Sequence, residues 1–420
     1  MNGRIEDHDT DAGTGRVDRH IDNQYQSLAW VHEADSGMHT RAQVYHNRLT
    51  IQEDANFGLV STAFGLSPAA VALAFPGQTD EAIIINEKNY SERYDAEFEQ
   101  SFPLFDTSQW VWGFGARLDR VRSPAFLDRQ DTIDTEDFRL FANLEHKVEK
   151  LTVNAGFLLS HNDLVQESLS RRLGLSYAFS QQHHLRAAAT TAYRTPSLLE
   201  ENQMLVLRFS DGEKISDLLI SEGDLKSAKV EEYDIAYKGF WYGGAMDVEL
   251  RKFKRRLDNL VDSRRDSIST VRIRNDDNQL QQNGVDFIVN ANFAEFGRVS
   301  VNYARTHFDY EKLRDDTGVR DSIREGYPEY QYGAQWSKRW VDWFESSATY
   351  RYMPETNWLG GDRIERFARF DLRLAWLLKH ADNDYTVELI GQNLGDDYAV
   401  FDTQNVFEPR VFLRLSASLY

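Results

Sequence analysis

The residues able to do chemistry in this chain are scattered, and few stand at spacings that chemistry requires. "DHDTDAGTGRVD" sets Asp7, Asp9, Asp11 and Asp18 out like the oxygen ligands of a calcium loop. Ala12 occupies the place where such a loop needs a sharp-turn glycine, and no helical pattern flanks it, so the stretch reads as a solvated acidic loop. His183 and His184 have no third partner at metal-ligand spacing. Ser67 in "GLSPA" half-matches a nucleophile elbow but lacks the strand-to-helix context. Cysteine is absent, which removes disulfides, thiolate metal sites and thiol nucleophiles. What remains is charge. "KFKRRLDN" and "DSRRDS" hold Lys254, Arg255, Arg256, Arg264 and Arg265, a basic run that reads as a solvated rim, with ligand contact at a loop mouth as its second reading. No catalytic constellation emerges, and neither an enzyme nor a cofactor or metal is expected.

The elements that carry these residues are strands. The chain has 420 residues, a net charge of −19 and 13% aromatics, with a mean hydropathy of −0.57. The acidic balance argues against a nucleic-acid partner. No apolar run reaches the roughly 18 residues of a membrane-spanning helix, and the opening residues contain no apolar core of a signal peptide. Period-two alternation recurs instead. In "FARFDLRLAWLL", Phe370, Leu372, Leu374 and Trp376 share one face, and Arg369, Asp371 and Arg373 the other. About seventeen such segments are present, starting near residues 24, 38, 89, 108, 136, 148, 167, 183, 228, 242, 280, 296, 329, 343, 367, 382 and 409, each long enough to cross a bilayer as a tilted strand.

The connections between segments alternate short and long, with one short connection near 162–166 where a long one is due. A transmembrane barrel has tight turns on one side and long loops on the other. Trp241, Trp340 and Trp343 stand at the tight turns and Trp376 near one, which reads as an interfacial aromatic girdle. The pattern predicts an all-β, transmembrane antiparallel β-barrel. A soluble β core packed with the same aromatics is the competing reading, and it leaves the alternation of turn lengths unexplained.

Several stretches resemble the TonB-dependent receptors of Gram-negative outer membranes. "LRAAATTAYRTPSLLEEN" is similar to that family's mid-barrel signature, through Tyr193, Arg194, Pro196, Ser197 and Glu200. "QNGVDFIVN" follows in order, with Asn283 and Gly284 opening a strand, and "GQNLGDDYAVFD" resembles the family's closing element through Asn393, Leu394 and Tyr398. These residues read as turn and bulge chemistry at a barrel rim rather than as ligand contacts. The resemblance implies a plugged barrel of about twenty-two strands. Seventeen counted from the end leave about five strands and the N-terminal plug domain outside this chain, with residues 1–23 as an external loop and 24–420 as strands. The final "RVFLRLSASLY" reads as a lipid-facing closing strand, with Arg414 and Ser416 toward the lumen and the chain one residue short of a terminal aromatic in phase.

The resemblance further implies an integral outer-membrane receptor that binds a scarce nutrient, such as a ferric siderophore, and imports it with energy from the TonB complex. Lipid of the outer membrane and the barrel-assembly machinery are the other implied partners. Loops 49–88, 194–227, 257–279 and 311–328 are the expected ligand-contacting loops because they are the longest. Arg208, Arg264, Arg265 and Trp358 are the candidate contacts within and beyond them. The apolar stretch Phe64–Phe75 is expected to fold onto the barrel mouth or over ligand. Two other functions fit the pattern less closely: a passive channel or plugless paralogue, and a secreted soluble β-rich binding protein.

Overall fold

The computed structural model describes residues 2–7, 16–78, 80, 82–209, 211–265, 270–277, 279–311, 326–357, 362–380 and 383–418. Eighteen strands form one antiparallel meander in which each strand pairs with its neighbours in the sheet order. Seventeen of them, from Arg16–Glu33 through Arg410–Ser418, are the segments expected from alternation. The eighteenth, Asn2–Asp7, pairs with residues 19–24 of the next strand. Among the described residues the two outer strands of the sheet are not paired with each other, so these strands do not close into a ring.

Turn lengths alternate as expected. Residues 34–38, 106–107, 149–150, 179–182, 242–245, 294–296, 342–343 and 381–382 make the short side. Residues 60–81, 123–132, 163–165, 195–227, 259–278, 312–329, 354–366 and 393–409 make the other, and 163–165 is again its one tight member.

Alternation follows from what each face meets. Across the last four strands, Phe344, Trp376, Val387 and Leu415 fall in one register row, all on the outward, apolar face. The intervening Glu345, Arg373, Glu388 and Arg414 face inward, where Arg373 Nε donates to Glu388 at 2.5 Å and Arg414 also bonds Glu388. A lipid-facing wall must satisfy every backbone group internally. The ladders comply: their register shifts lie near strand ends, between Arg16 and Asp18, Asn56 and Leu59, Pro103 and Phe105, and Arg339 and Val341.

Three boundaries differ from expectation. The first wall strand starts at Arg16 rather than near 24, so the segment expected as an external loop at 1–23 contains paired strand. His39–Leu59 and Ala82–Phe105 run 21 and 24 residues, about twice the 9–11 that cross a bilayer, and reduce the expected 49–88 loop to 60–81. The sequence of residues 51–59 and 82–89 lacks the apolar alternation that marks a wall strand.

Three of the long loops fold together on the long-loop side. Met204–Arg208, Lys214–Ser221, Val271–Asn275 and Val261–Arg265 make a second, four-stranded sheet, with Lys214–Ser221 parallel to Val271–Asn275. The short helices Val60–Phe64 and Pro68–Ala74 pack on it: Val60, Val71, Leu207 and Phe209 form a buried cluster with Phe75, Ile215 and Leu218 against it. Ser67 is the N-cap of the second helix and accepts from the Ala70 N–H at 3.2 Å. The apolar stretch, expected on the barrel mouth or over ligand, packs instead on the 204–221 loop.

Candidate functional site

The signature residues build the rim. Tyr193 and Arg194 end the strand His183–Arg194, and buried Pro196, which has no N–H to extend the ladder, follows. Ser197 then caps the helix Leu198–Asn202 in a reciprocal capping box with Glu200. Arg194 grips Glu200 through both terminal nitrogens at 3.0 Å each. Burial pushes the Glu200 carboxyl up, but Arg194 and the Ser197 backbone N–H outweigh burial and hold it below its usual value.

The closing element is a second corner. Asn393 adopts a left-handed φ of 51°, and asparagine tolerates that conformation. Its N–H donates to Asp371 at 2.8 Å and its side-chain amide to the Phe407 carbonyl at 2.8 Å. The Leu394 N–H donates to the Phe370 carbonyl at 2.7 Å. Tyr398 stacks between Phe367 and Phe407 at 4.7 and 5.3 Å, and its hydroxyl accepts from Arg369 at 3.1 Å.

Asn283 and Gly284 differ from expectation. They lie inside Gln279–Phe293 with unbroken register on both sides, so they neither open a strand nor make a bulge. Gly284 serves a close approach instead: a Cβ there would stand 2.2 Å from the Phe253 ring. Arg251 and Arg255 stack on that ring at 5.0 and 4.6 Å.

At the opposite end, Trp241, Trp340 and Trp343 stand exposed at the short turns, and Trp376 touches Phe344 at 5.6 Å four residues from its strand's end. His183 joins this aromatic end, its Nδ1 2.8 Å from the Tyr237 hydroxyl and its ring edge-on to Trp241.

The sequence candidates for ligand contact do not converge. Arg208 is spent on Asp128 at 2.8 Å and on the Gly212 carbonyl, tying two loops together. Arg264 lies in the loop sheet and is already engaged. Trp358 and the side chain of Arg265 lie outside the described residues. Lys254, Arg255 and Arg256 belong to the wall strand Met246–Asp258 rather than to a loop.

The cavity that the structure does form at the mouth has a volume of 560 Å³ and lies between the 312–329 and 354–366 connections. Phe308, Tyr327, Tyr330, Thr356, His307 and Arg363 line it. Phe308 and Tyr327 meet at 5.4 Å, and Tyr330 stacks on Tyr352 at 6.0 Å. Thr356 is 3% exposed, and its hydroxyl is buried with no partner among the described residues. Arg363 is paired with Glu355, so the cavity presents rings and hydrogen-bonding groups around a neutralised charge. Such a volume falls within the roughly 300–1,000 Å³ of small-molecule sites. Sequence reading passed over these residues because His307, Phe308 and Tyr330 sit at the ends of wall strands. The aromatic run Tyr327, Tyr330, Tyr332 beside a long loop was the available signal. A second cavity of 420 Å³ opens on the lumen side, where Pro196 and Ser197 meet Asn47, Arg93, Arg117 and Thr135.

Comparison with known proteins agrees with this architecture. The ferric enterobactin receptor of Pseudomonas aeruginosa superposes with a TM-score of 0.72 at 14% identity, over 95% of this chain and 61% of that one. The ferric-catecholate import receptor Fiu of E. coli gives 0.68 at 12% identity, over 98% and 65%. The siderophore receptor PirA of Acinetobacter baumannii gives 0.65 at 11%, over 90% and 58%. The chain thus spans about three-fifths of the length of these receptors. No curated protein matches it. Residues 2–394 match the TonB dependent receptor-like, beta-barrel family, and the chain belongs to that family of outer-membrane β-barrels.

Proposed function

We propose that this chain forms the wall and outer mouth of a receptor that captures a ferric siderophore and passes it inward with energy from TonB. The mouth cavity carries the reading: the rings of Phe308, Tyr327 and Tyr330 line a volume suited to a small, ring-bearing ligand. Family membership and the siderophores named for the similar structures support the same class of cargo. Residues of the 312–329 and 354–366 connections make the contacts, and Arg208 and Arg264 hold the loops. No bond of the cargo is made or broken. Recognition of the final strand by the barrel-assembly machinery belongs to the same reading.

The test is tryptophan-fluorescence titration of the chain in detergent micelles with ferric enterobactin and with ferrichrome. Saturable binding of one of them, weakened about tenfold by Tyr327→Ala through the lost ring contact, is the expected result. Absence of saturable binding by either, or an indifferent Tyr327→Ala, overturns the mouth assignment. Uptake of radioactive iron by cells with and without TonB tests the energy source separately.

A further inference from the structure

Charge sorts ferric siderophores into two kinds. Three singly charged hydroxamates neutralise ferric iron, whereas three doubly charged catecholates leave the chelate a trianion. A site for the second kind has to offer unmatched cations, because an anion stripped of water without a partner is costly. Which kind the mouth accepts is written in its charges. The inference rests on the ferric-siderophore reading of the same cavity and narrows its class.

Among the described residues, the basic side chains that line the cavity are matched by acids. Arg363 pairs with Glu355, which lines the same cavity. His307 pairs with Asp309 at 3.1 Å, and the lining Glu329 with Arg305 at 2.6 Å. These pairs are exposed and hold weakly, but their strength does not decide the question. If Arg363 swung onto an anionic ligand, Glu355 would be left facing the same anion, and the net charge of the site would not change. What else lines the cavity is uncharged: the rings of Phe308, Tyr327 and Tyr330, and the polar side chains of Thr306, Thr356 and Asn357.

The sequence of the connections extends the balance to the whole long-loop side. Residues 312–329 contain four basic and five acidic side chains, and residues 354–366 two and three. Across the eight connections of that side, fourteen basic residues stand against twenty-eight acidic ones, and none of the eight has a net positive charge. Even the arginine-rich connection 259–278 holds as many acids as bases. The field over this part of the mouth is therefore negative. It repels a trianion at the encounter and draws in a cation. Likeness of fold leaves the choice open: the receptors named for ferric enterobactin and for ferric catecholate are 14% and 12% identical to this chain, a level that carries the wall and not the charges of its loops.

We propose that the cargo of the mouth is a ferric chelate without net negative charge, a hydroxamate complex that is neutral or cationic, held by the rings of Phe308, Tyr327 and Tyr330 and by hydrogen bonds to uncharged side chains. The rings suit both members of that class. They cover the apolar periphery of a neutral chelate, and their negative faces attract a positive group. A catecholate trianion meets the same faces with the wrong sign.

The test is a ranking of three chelates by tryptophan quenching of the full chain in detergent micelles at low salt: ferrichrome, which is neutral, ferrioxamine B, a monocation, and ferric enterobactin, the trianion. The better hydroxamate is expected to bind at least about tenfold tighter than ferric enterobactin. Glu355→Gln takes away the charge that balances Arg363. It should raise the affinity for ferric enterobactin relative to that for ferrichrome about tenfold, as expected for one charge facing three across roughly 8 Å of water. Far-UV circular dichroism confirms the β-fold of the variant. Ferric enterobactin binding within tenfold of the better hydroxamate, or an unchanged ratio in folded Glu355→Gln, overturns the proposal and leaves the siderophore reading standing. Binding of none of the three overturns both.

Discussion

Replacing Glu388 by alanine isolates the inward charge network that holds the last strands together. Glu388 is 1% exposed. It accepts from Arg373 Nε at 2.5 Å and from Arg414, and so joins three consecutive strands. Removing one member of a fully dry ion pair costs about 3–5 kcal/mol, since the remaining charge is stranded. Here the arginine side chains are 33% and 61% exposed, so water recovers much of the loss and about 1–3 kcal/mol remains. The loss is not shared evenly. Arg373 keeps Glu345 at 3.7 Å, whereas Arg414 has no second carboxylate among the described residues. Arg410–Ser418 also pairs on one side only. The effect therefore falls on the last strand. In an opening equilibrium it amounts to roughly 5- to 150-fold. Amide hydrogen exchange of the chain in micelles reads it directly: amides of 411–418 should exchange faster by that factor, with Leu151–Asn162 unchanged. Equal acceleration across the wall, or none at the last strand, refutes the reasoning.

Two further outcomes follow from the rim and the wall. Because the folded Glu200 value lies below the ordinary carboxylate value of 4.5, its contribution to the 197–202 corner is complete above that value and is lost as pH falls through the lower folded one. Protease nicking of residues 195–203 should therefore rise as pH falls below about 4.5 in the parent and show little pH dependence in Glu200→Gln; parallel profiles would sink this account. Gly284→Ala should lower the urea midpoint by an amount equivalent to about 1–3 kcal/mol, because the new Cβ meets Phe253, and Phe253→Leu in the same chain should restore most of it. A silent Gly284→Ala would mean that the ring has room to move.

Within the membrane the fold was legible because lipid and lumen impose opposite demands on successive residues. Leu372, Leu374 and Trp376 against Arg373 declare both the strand and its faces. Beyond the bilayer that opposition stops. Residues 51–59 and 82–89 are ladder strands without alternation to reveal them. The loop sheet was hidden for a different reason: Leu219 pairs with Val271 across some fifty residues, and no local pattern encodes a non-local parallel pairing. At the mouth, charge misled. Arg208 drew attention as a lone cation, yet Asp128, far away in sequence, had already claimed it. Gly284 was legible as a special position, but its cause, a ring on the adjoining strand, was not.

The joined loops have a consequence for exchange between receptors. Val60 and Val71 lie in one loop and Leu207 and Phe209 in another, and Val271–Asn275 from a third completes their sheet. Thr270 Oγ1 donates to the Asp217 carbonyl at 2.9 Å, and the Lys226 N–H to Asn275 at 2.6 Å. A loop grafted alone from a relative would arrive without the surface it is shaped to cover and would leave the host's own apolar residues bare. The unit of transplantation is the trio 60–78, 204–221 and 261–275, moved together. The same coupling constrains substitution: a change of volume at Phe209 has to be taken up by Val71 and Phe75, which pack against it.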